Sequence, residues 1–198
     1  LLNGLQLGVM LFLMSAGLTL VFGIMRVINL AHGSLYMVGA YSAATVFLYS
    51  GSFVLGLLAA LAAAGLVGML VELLVLRRLY GRDHLDQVLA TFGLILFFNE
   101  LTVIIWGRQP LFMDVPDLLS GTIELIPGAP YPSYRLAIIL AGILVAVFLY
   151  FLFNHTRLGM RIRAGASNRE MIAALGVNIK LLNTLVFGLG ALLAGLAG

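Results

Sequence analysis

Long uncharged apolar segments separated by short polar ones organise the chain. No charged residue occurs in 1–25, and the apolar stretch 27–71 is long enough for two spans joined near residues 49–52. Because a helix needs about 20 apolar residues to cross the hydrocarbon core, this pattern predicts membrane-spanning helices. The predicted spans are Leu1–Met25, Ser34–Tyr49, Phe53–Leu76, Val88–Trp106, Leu136–Phe153 and Leu181–Gly198.

Composition supports this pattern. Hydrophobic residues make up 62% of the 198 residues and charged residues 10%, whereas soluble domains have about 45–50% and about 25%. We therefore predict an all-α polytopic transmembrane helix bundle of about six spans, with residues 1–198 in one domain. Small residues four apart, such as Gly190/Ala194, favour close helix contacts. Because 181–198 is uncharged and stops without a polar flank, we expect a C-terminally truncated piece of a longer protein.

Two longer segments separate the later spans. Gly107–Ser133 holds all five prolines, and proline at that density does not continue a helix. Asn154–Lys180 is basic, and cytoplasmic loops retain Lys and Arg. Nine of the eleven Lys and Arg residues follow spans 1, 3 and 5. We therefore predict that 154–180 is cytoplasmic, that 107–133 is extracytoplasmic and that the N-terminus lies outside.

Several chemistries are excluded by residues that the sequence lacks. There is no cysteine, so disulfides, thiolate metal sites and cysteine nucleophiles are absent. The three histidines are too far apart in sequence for a short-range metal motif. The one lysine, Lys180, does not follow a glycine, so there is no phosphate-binding G-K-[ST] loop. Any ATP hydrolysis would take place on another chain.

Polar residues interrupt the apolar pattern within Gly23–Gly33. Arg26, Asn29 and His32 lie here, and an arginine at the centre of a membrane helix costs roughly 2.5–3.5 kcal/mol. One interpretation is that Arg26 and His32 anchor a helix end at the lipid headgroups. The other is a broken helix in which Asn29, His32 and Gly33 line a substrate path.

Glu100 is an acidic residue inside the fourth predicted span. It lies six residues before Trp106, which is about 9 Å of helix rise. Glu100 therefore has either a packing or ion-pair role, or the role of a coupling-ion carrier in the translocation path.

A short helix is predicted inside the basic segment. Ser167 and Glu170 have the spacing of a capping box, which predicts a helix from Asn168 to Leu175 that Gly176 ends. Met171, Ile172 and Leu175 would share one side. Because eight residues are too few to be stable alone in water, the helix docks either on the membrane or on a cytoplasmic partner.

Two long motifs resemble one known family. The run GLTLVFGIMRVINLAHGSLYMVGAY, residues 17–41, resembles the N-terminal signature of the permease subunit of branched-chain amino acid ABC importers. Residues 156–178, with TRLG and AALGVN, resemble that family's segment that contacts the ATPase subunits. Glu72 with Arg77, and the Thr91-Phe-Gly93 run, fit the same family. The resemblance covers nearly the whole chain.

The resemblance implies a multi-pass permease of the inner membrane that moves branched-chain or related amino acids. Its implied partners are the lipid bilayer, a second permease subunit, two cytoplasmic ATPase subunits that bind the ATP, and an extracytoplasmic substrate-binding protein. No cofactor in this chain and no nucleic acid are implied. The implied ATPase-coupling residues are Arg163, Ala164, Ser167, Glu170, Ala174 and Gly176.

Other interpretations stay open from the sequence. An ion-coupled secondary transporter or channel that uses Glu100 needs no ATPase. A membrane-embedded enzyme is disfavoured, because no nucleophile or metal constellation is present. The sequence does not decide whether the substrate is a branched-chain amino acid, another amino acid, urea or an amide. It also leaves open whether the permease is a homodimer or a heterodimer.

Overall fold

The protein is a helix bundle in the computed structural model, which describes residues 2–25, 27–109, 111, 113, 115–116, 119–126 and 129–198. The helices are α1 (Leu2–Met25), α2 (His32–Ser50), α3 (Phe53–Leu74), α4 (His84–Trp106), α5 (Ser133–His155), α6 (Arg157–Ser167), α7 (Arg169–Ala174) and α8 (Ile179–Ala197), with a short 3-10 helix at Leu76–Arg78.

The predicted all-α membrane bundle is confirmed. Among the described residues, α1, α4, α5, α8 and α3 extended through its 3-10 helix are long and apolar enough to cross a membrane. The sixth predicted segment, α2, is also a helix, but its hydroxyl groups and His32 make it less apolar than those five. Each predicted span therefore corresponds to a helix, with ends that differ by a few residues.

The core of the bundle lies around α8. Val186, Phe187 and Ala191 of this helix are fully buried, and α1, α2 and α3 pack against it. The backbones approach so closely that a Cβ added at Gly39 of α2 would lie 2.5 Å from the Cα of Gly195. The prediction that small residues let these helices approach closely is confirmed.

A tight turn joins α2 to α3 at the predicted place. Gly51 has a φ of 65°, a conformation that costs glycine little because it has no Cβ. Its N–H donates to the carbonyl of Phe47 at 2.8 Å. Ser52 then begins α3, since its hydroxyl accepts from the N–H of Leu55 at 3.5 Å. The two helices therefore run antiparallel.

The helices α4 and α5 lie at the edge of the bundle. At one end, the indole N–H of Trp106 in α4 donates to the hydroxyl of Thr45 in α2 at 2.7 Å. The start of α5 is linked to α1, because Nη1 of Arg135 donates to Oδ1 of Asn3 at 2.7 Å. About half of their other large apolar side chains are exposed, as expected for helices with one side facing lipid.

The proline-rich segment contains a small hairpin that the sequence did not predict. Strands β1 (Thr122–Ile126) and β2 (Ala129–Pro132) pair antiparallel, with Thr122 opposite Pro132. Proline is tolerated because both strands of a two-stranded sheet are edges. Predictions that concern Arg26, Pro110, Asp114, Asp117 and Pro127 fall outside the described residues.

Candidate functional site

Three connecting segments meet at one end of the bundle. The N–H of Ile28, in the α1–α2 connection, donates to Oε1 of Gln87 at 3.4 Å. Nε2 of Gln87 donates in turn to the carbonyls of Leu79 and Arg82, each at 3.2 Å. Ile24 of α1 and residues 165–170 line a shared cavity of about 250 Å³. The connections after α1, α3 and α5 therefore share one end, which carries most of the positive charge.

The basic segment folds into two capped helices, and here the capping-box prediction is wrong. Ser167 is the last residue of α6, so it is not available to cap the next helix. Instead, Oδ1 of Asn168 accepts from the N–H of Met171 at 3.0 Å. Asn168 is thus the N-cap of α7, and Glu170 is an exposed residue in its first turn.

Gly176 ends α7 as predicted. Its φ is 84°, and its N–H donates to the carbonyl of Ala173 at 3.0 Å. The N–H of Val177 donates to the carbonyl of Ile172 at 3.2 Å. These two bonds form a Schellman motif, which needs a left-handed residue such as glycine at this position.

The apolar residues of α7 do not share one side as predicted. Ile172 is only 4% exposed and packs into the bundle, whereas Met171 is 57% and Leu175 75% exposed. The helix therefore buries Ile172, and Met171 together with Leu175, which directly follows the helix, forms an exposed apolar surface at the basic end, the α7 surface.

The predicted coupling residues lie in α6, in α7 and in the connection between α7 and α8. Ala164 is half-buried in α6, and the exposed ones are Arg163, Ser167, Glu170, Ala174 and Gly176. Arg163 is tied to the end of α5, where Nη1 donates to the carbonyl of Phe153. The set follows the chain from α6 through α7.

The segment between α1 and α2 is a non-helical break at the same end. Asn29 and His32 are each only 4% exposed. Oδ1 of Asn29 accepts from the N–H of Ala31 at 3.1 Å. Within the described chain, neither Nδ2 of Asn29 nor the ring nitrogens of His32 make a hydrogen bond of normal geometry, although the backbone of Met14 in α1 lies close enough to the His32 ring to interact with it. Buried polar groups left like this cost about 1–3 kcal/mol each, so this break has unused hydrogen-bonding capacity.

The other two path candidates are exposed, and of these two only Gly33 adjoins His32 in sequence. Gly33 is exposed at the start of α2. Glu100 is exposed on α4, in a shallow groove lined only by neighbouring α4 residues, among them Phe97 and Ile104. The structure brings Asn29, His32 and Gly33 together where the α1–α2 connection enters α2 but does not place Glu100 with them.

A buried ionic cluster joins α3 to α8 near the basic end. Glu72 of α3 has a fully buried side chain and pairs with Arg77, with 3.1 Å between Oε2 and Nη2 and 3.3 Å between Oε1 and Nε. The hydroxyl of Tyr80 donates to Oε1 at 2.5 Å. The hydroxyl of Thr184 donates to Oε2 at 2.7 Å and accepts from Nη2 of Arg77 at 2.7 Å.

The cluster satisfies the Glu72 carboxylate from three sides. Burial raises the pKa of Tyr80, and the hydrogen bond to Glu72 raises it further. Tyr80 therefore stays a neutral donor. The sequence identified only Glu72 and Arg77, through the family resemblance; Tyr80 and Thr184 carried no separate signal.

The geometry defines a class of protein: a membrane helix bundle with two short capped helices and a non-helical α1–α2 connection at its basic end. Among the described residues, no group of three His, Cys, Asp or Glu is arranged to hold a metal ion. The chain belongs to the family described as "branched-chain amino acid transport system / permease component", whose match covers residues 1–198. It is a multi-pass inner-membrane permease component, and transport permeases are not an enzyme class.

Named relatives agree with this assignment. The chain is 31% identical to the high-affinity branched-chain amino acid transport system permease protein BraD of Pseudomonas aeruginosa, over 100% of this chain and 68% of BraD. It is 27% identical to LivH of Escherichia coli, with the same descriptive name, over 99% of this chain and 67% of LivH. It is also 27% identical to the ribose import permease protein RbsC of Escherichia coli, over 94% of this chain and 56% of RbsC. No solved structure matches the chain.

Proposed function

We propose that this permease component imports branched-chain or related amino acids with energy from separate ATPase subunits. Two cytoplasmic ATPases, a second permease subunit and an extracytoplasmic binding protein complete the proposed assembly. In this proposal ATP is bound only by the ATPases, and the chain itself catalyses no reaction. The names of BraD and LivH support the substrate class, although RbsC is described as a ribose permease.

The α7 surface is the observation that carries the proposed ATPase contact. Met171 and Leu175 are exposed apolar residues at an end rich in arginine, and Ile172 between them is buried. An exposed apolar patch with a charged surround is typical of a protein–protein contact. Because α7 has two defined ends, it presents this patch in a fixed orientation, which suits a docking element.

A charge placed on α7 tests the docking proposal. We expect Ala174→Arg to leave membrane insertion unchanged and to reduce co-purification of the ATPase, because the ATPase would have to desolvate the new charge. Gly81→Arg is the matched control, since Gly81 is exposed at the same end, outside α7, with no atom within 4 Å of an added Cβ. Wild-type amounts of ATPase bound to Ala174→Arg would contradict the proposal.

We further propose that Asn29 and His32 line the substrate path at the α1–α2 break. Their nitrogens without a normal hydrogen bond support this, because a water-filled path supplies the hydrogen bonds that the protein does not. The ring of His32 lies against α1, where a Cβ added at Gly17 would be 3.0 Å from Nε2. Glycine at this position leaves room for the ring.

Water access tests the path directly. We expect single cysteines at positions 29 and 32 to react with small hydrophilic thiol reagents in at least one nucleotide state. A cysteine at Leu35, which is 2% exposed in the apolar core, is the unreactive control. If positions 29 and 32 are as unreactive as position 35 in every nucleotide state, and Asn29→Ala transports normally, they do not line the path.

A further inference from the structure

The helix α7 is attached to the Glu72 cluster by one side chain. The guanidinium carbon of Arg169 lies 5.9 Å from the centre of the Tyr80 ring, within the range of a cation–π interaction. Nη2 of the same side chain donates to Oδ1 of Asn183 at 3.3 Å. Arg169 therefore contacts the residue that donates to Glu72 and the α8 residue directly before Thr184.

The groups beyond Arg169 are buried and mutually dependent. Asn183 is 2% and Thr184 9% exposed, and Glu72 is fully buried. When one partner moves away, water cannot replace the lost hydrogen bond of a buried group. The free-energy cost is about 1–3 kcal/mol for each buried group left unpaired. A displacement of Arg169 is therefore resisted by α8 through Asn183 and by the α3–α4 connection through Tyr80.

The cluster also links two helices that pack against each other in the bundle core. Glu72 lies on α3 and Thr184 on α8, and the two residues are 112 positions apart in sequence. Arg77 closes the group, because its Nη2 contacts both Glu72 and Thr184. Charge-assisted hydrogen bonds of this kind are roughly twice as strong as neutral ones, so α3 and α8 are held together at this point.

We propose that Arg169 and Tyr80 are positioning residues that transmit displacement of α7 to α3 and α8 through the Glu72 cluster. This inference rests on the proposed function, in which an ATPase moves α7. The peptide connection through residues 175–178 also joins α7 to α8. The cluster adds a second, non-covalent connection that reaches α3, which the peptide connection does not.

Two small substitutions interrupt this connection and leave the α7 surface and the peptide connection intact. Tyr80→Phe removes the hydroxyl that donates to Glu72 and keeps the ring beneath Arg169. Thr184→Val removes the hydroxyl between Glu72 and Arg77 with almost no change of volume. Thr102→Val is the matched control, because that buried hydroxyl donates only to the carbonyl of Phe98 in its own helix, at 2.8 Å.

The experiment measures leucine transported per ATP hydrolysed. The full-length permease is reconstituted in proteoliposomes with its ATPases and binding protein, and radiolabelled leucine is the probe. We expect Tyr80→Phe and Thr184→Val to bind the ATPase and hydrolyse ATP as wild type does. Their leucine-to-ATP ratio should fall about fivefold or more, the usual lower limit of coupling between two sites. Thr102→Val should keep the wild-type ratio.

The possible outcomes distinguish failure of this positioning role from failure of the proposed ATP-driven import. A wild-type permease that binds no ATPase, or that carries no leucine, contradicts the proposed function. A wild-type permease that does both, with unchanged ratios in Tyr80→Phe and Thr184→Val, contradicts only the positioning role. An equal fall in Thr102→Val also overturns it, since the effect would then come from loss of any buried hydroxyl. If Thr184→Val does not fold, Tyr80→Phe alone decides between these outcomes.

Discussion

Glu72→Gln tests whether the ionic cluster stabilises the fold. The substitution keeps the side-chain volume but replaces one carboxylate oxygen by an NH₂ group. On the Oε1 side that group would meet Nε of Arg77 and the hydroxyl of Tyr80, and on the Oε2 side Nη2 of Arg77 and the hydroxyl of Thr184. In either orientation the new NH₂ group faces an N–H of Arg77, so no rotation of the amide restores both bonds to the guanidinium, although the hydroxyls of Tyr80 and Thr184 can turn to accept.

The size of the effect follows from burial. Removing one partner of a buried ion pair costs about 3–5 kcal/mol. The side chain of Arg77 is 31% exposed while that of Glu72 is 0% exposed, so water can solvate part of the unpaired guanidinium. The hydroxyl of Thr184 also has the carbonyl of Lys180 at 3.0 Å as another acceptor. We therefore expect a loss of about 3 kcal/mol, at the lower end of the range.

The assay is equilibrium unfolding of the permease in mixed micelles with increasing SDS, followed by circular dichroism. Glu100→Gln is the matched control, because Glu100 is exposed on α4; we expect it to change the unfolding free energy by less than about 0.5 kcal/mol. If Glu72→Gln loses less than about 1 kcal/mol, or no more than Glu100→Gln does, then the cluster does not hold α3 and α8 together as argued.

Three further predictions address the α7 cap, the core and the topology. Asn168→Ala should destabilise α7 by about 0.5–2 kcal/mol, seen as faster hydrogen exchange confined to that helix. Gly39→Ala should lower the unfolding free energy by about 1–3 kcal/mol, because the added methyl group overpacks against α8. Gly93→Ala is the control and should not lower it, because an added Cβ meets open space there. Equal effects of the two substitutions would argue against the packing explanation. In intact cells, an impermeant thiol reagent should label a cysteine at Ser120 and not one at Ser167, and the reverse pattern would invert the topology.

The sequence was sufficient for the features that depend on local composition. An uncharged apolar segment of span length has little alternative to a helix in lipid, because a helix satisfies its own backbone hydrogen bonds. The α2–α3 turn was predictable for a similar reason, since Gly51 adopts a positive φ readily. The distribution of positive charges predicted that the connections after α1, α3 and α5 lie at one end of the bundle. The contact between Ile28, after α1, and Gln87, at the start of α4, agrees with this prediction.

Local signals were not sufficient where two of them competed. Ser167 and Asn168 are both good N-cap residues, and the choice depended on how far α6 extends. Because α6 continues through Ser167, the cap falls to Asn168. The hairpin was missed because proline in β2 argues against a strand unless that strand is an edge.

Contacts between residues far apart in sequence were beyond sequence reasoning. Thr184 reaches Glu72 across 112 positions, and only the packing of α8 against α3 brings them together. The same packing places Arg169 over Tyr80. For the path candidates, the sequence located Asn29 and His32 but gave no sign that their nitrogens would be buried without a hydrogen bond of normal geometry.

The most direct test of the account is the nucleotide dependence of leucine uptake. The full-length permease, its ATPases and the binding protein are reconstituted, with ATP supplied only on the side that carries α6 and α7. We predict that uptake requires hydrolysable ATP on that side, persists when a protonophore collapses the proton gradient and continues in Glu100→Gln. Uptake that proceeds without nucleotide, and that the protonophore or Glu100→Gln abolishes, would contradict an ATP-driven permease and favour an ion-coupled transporter.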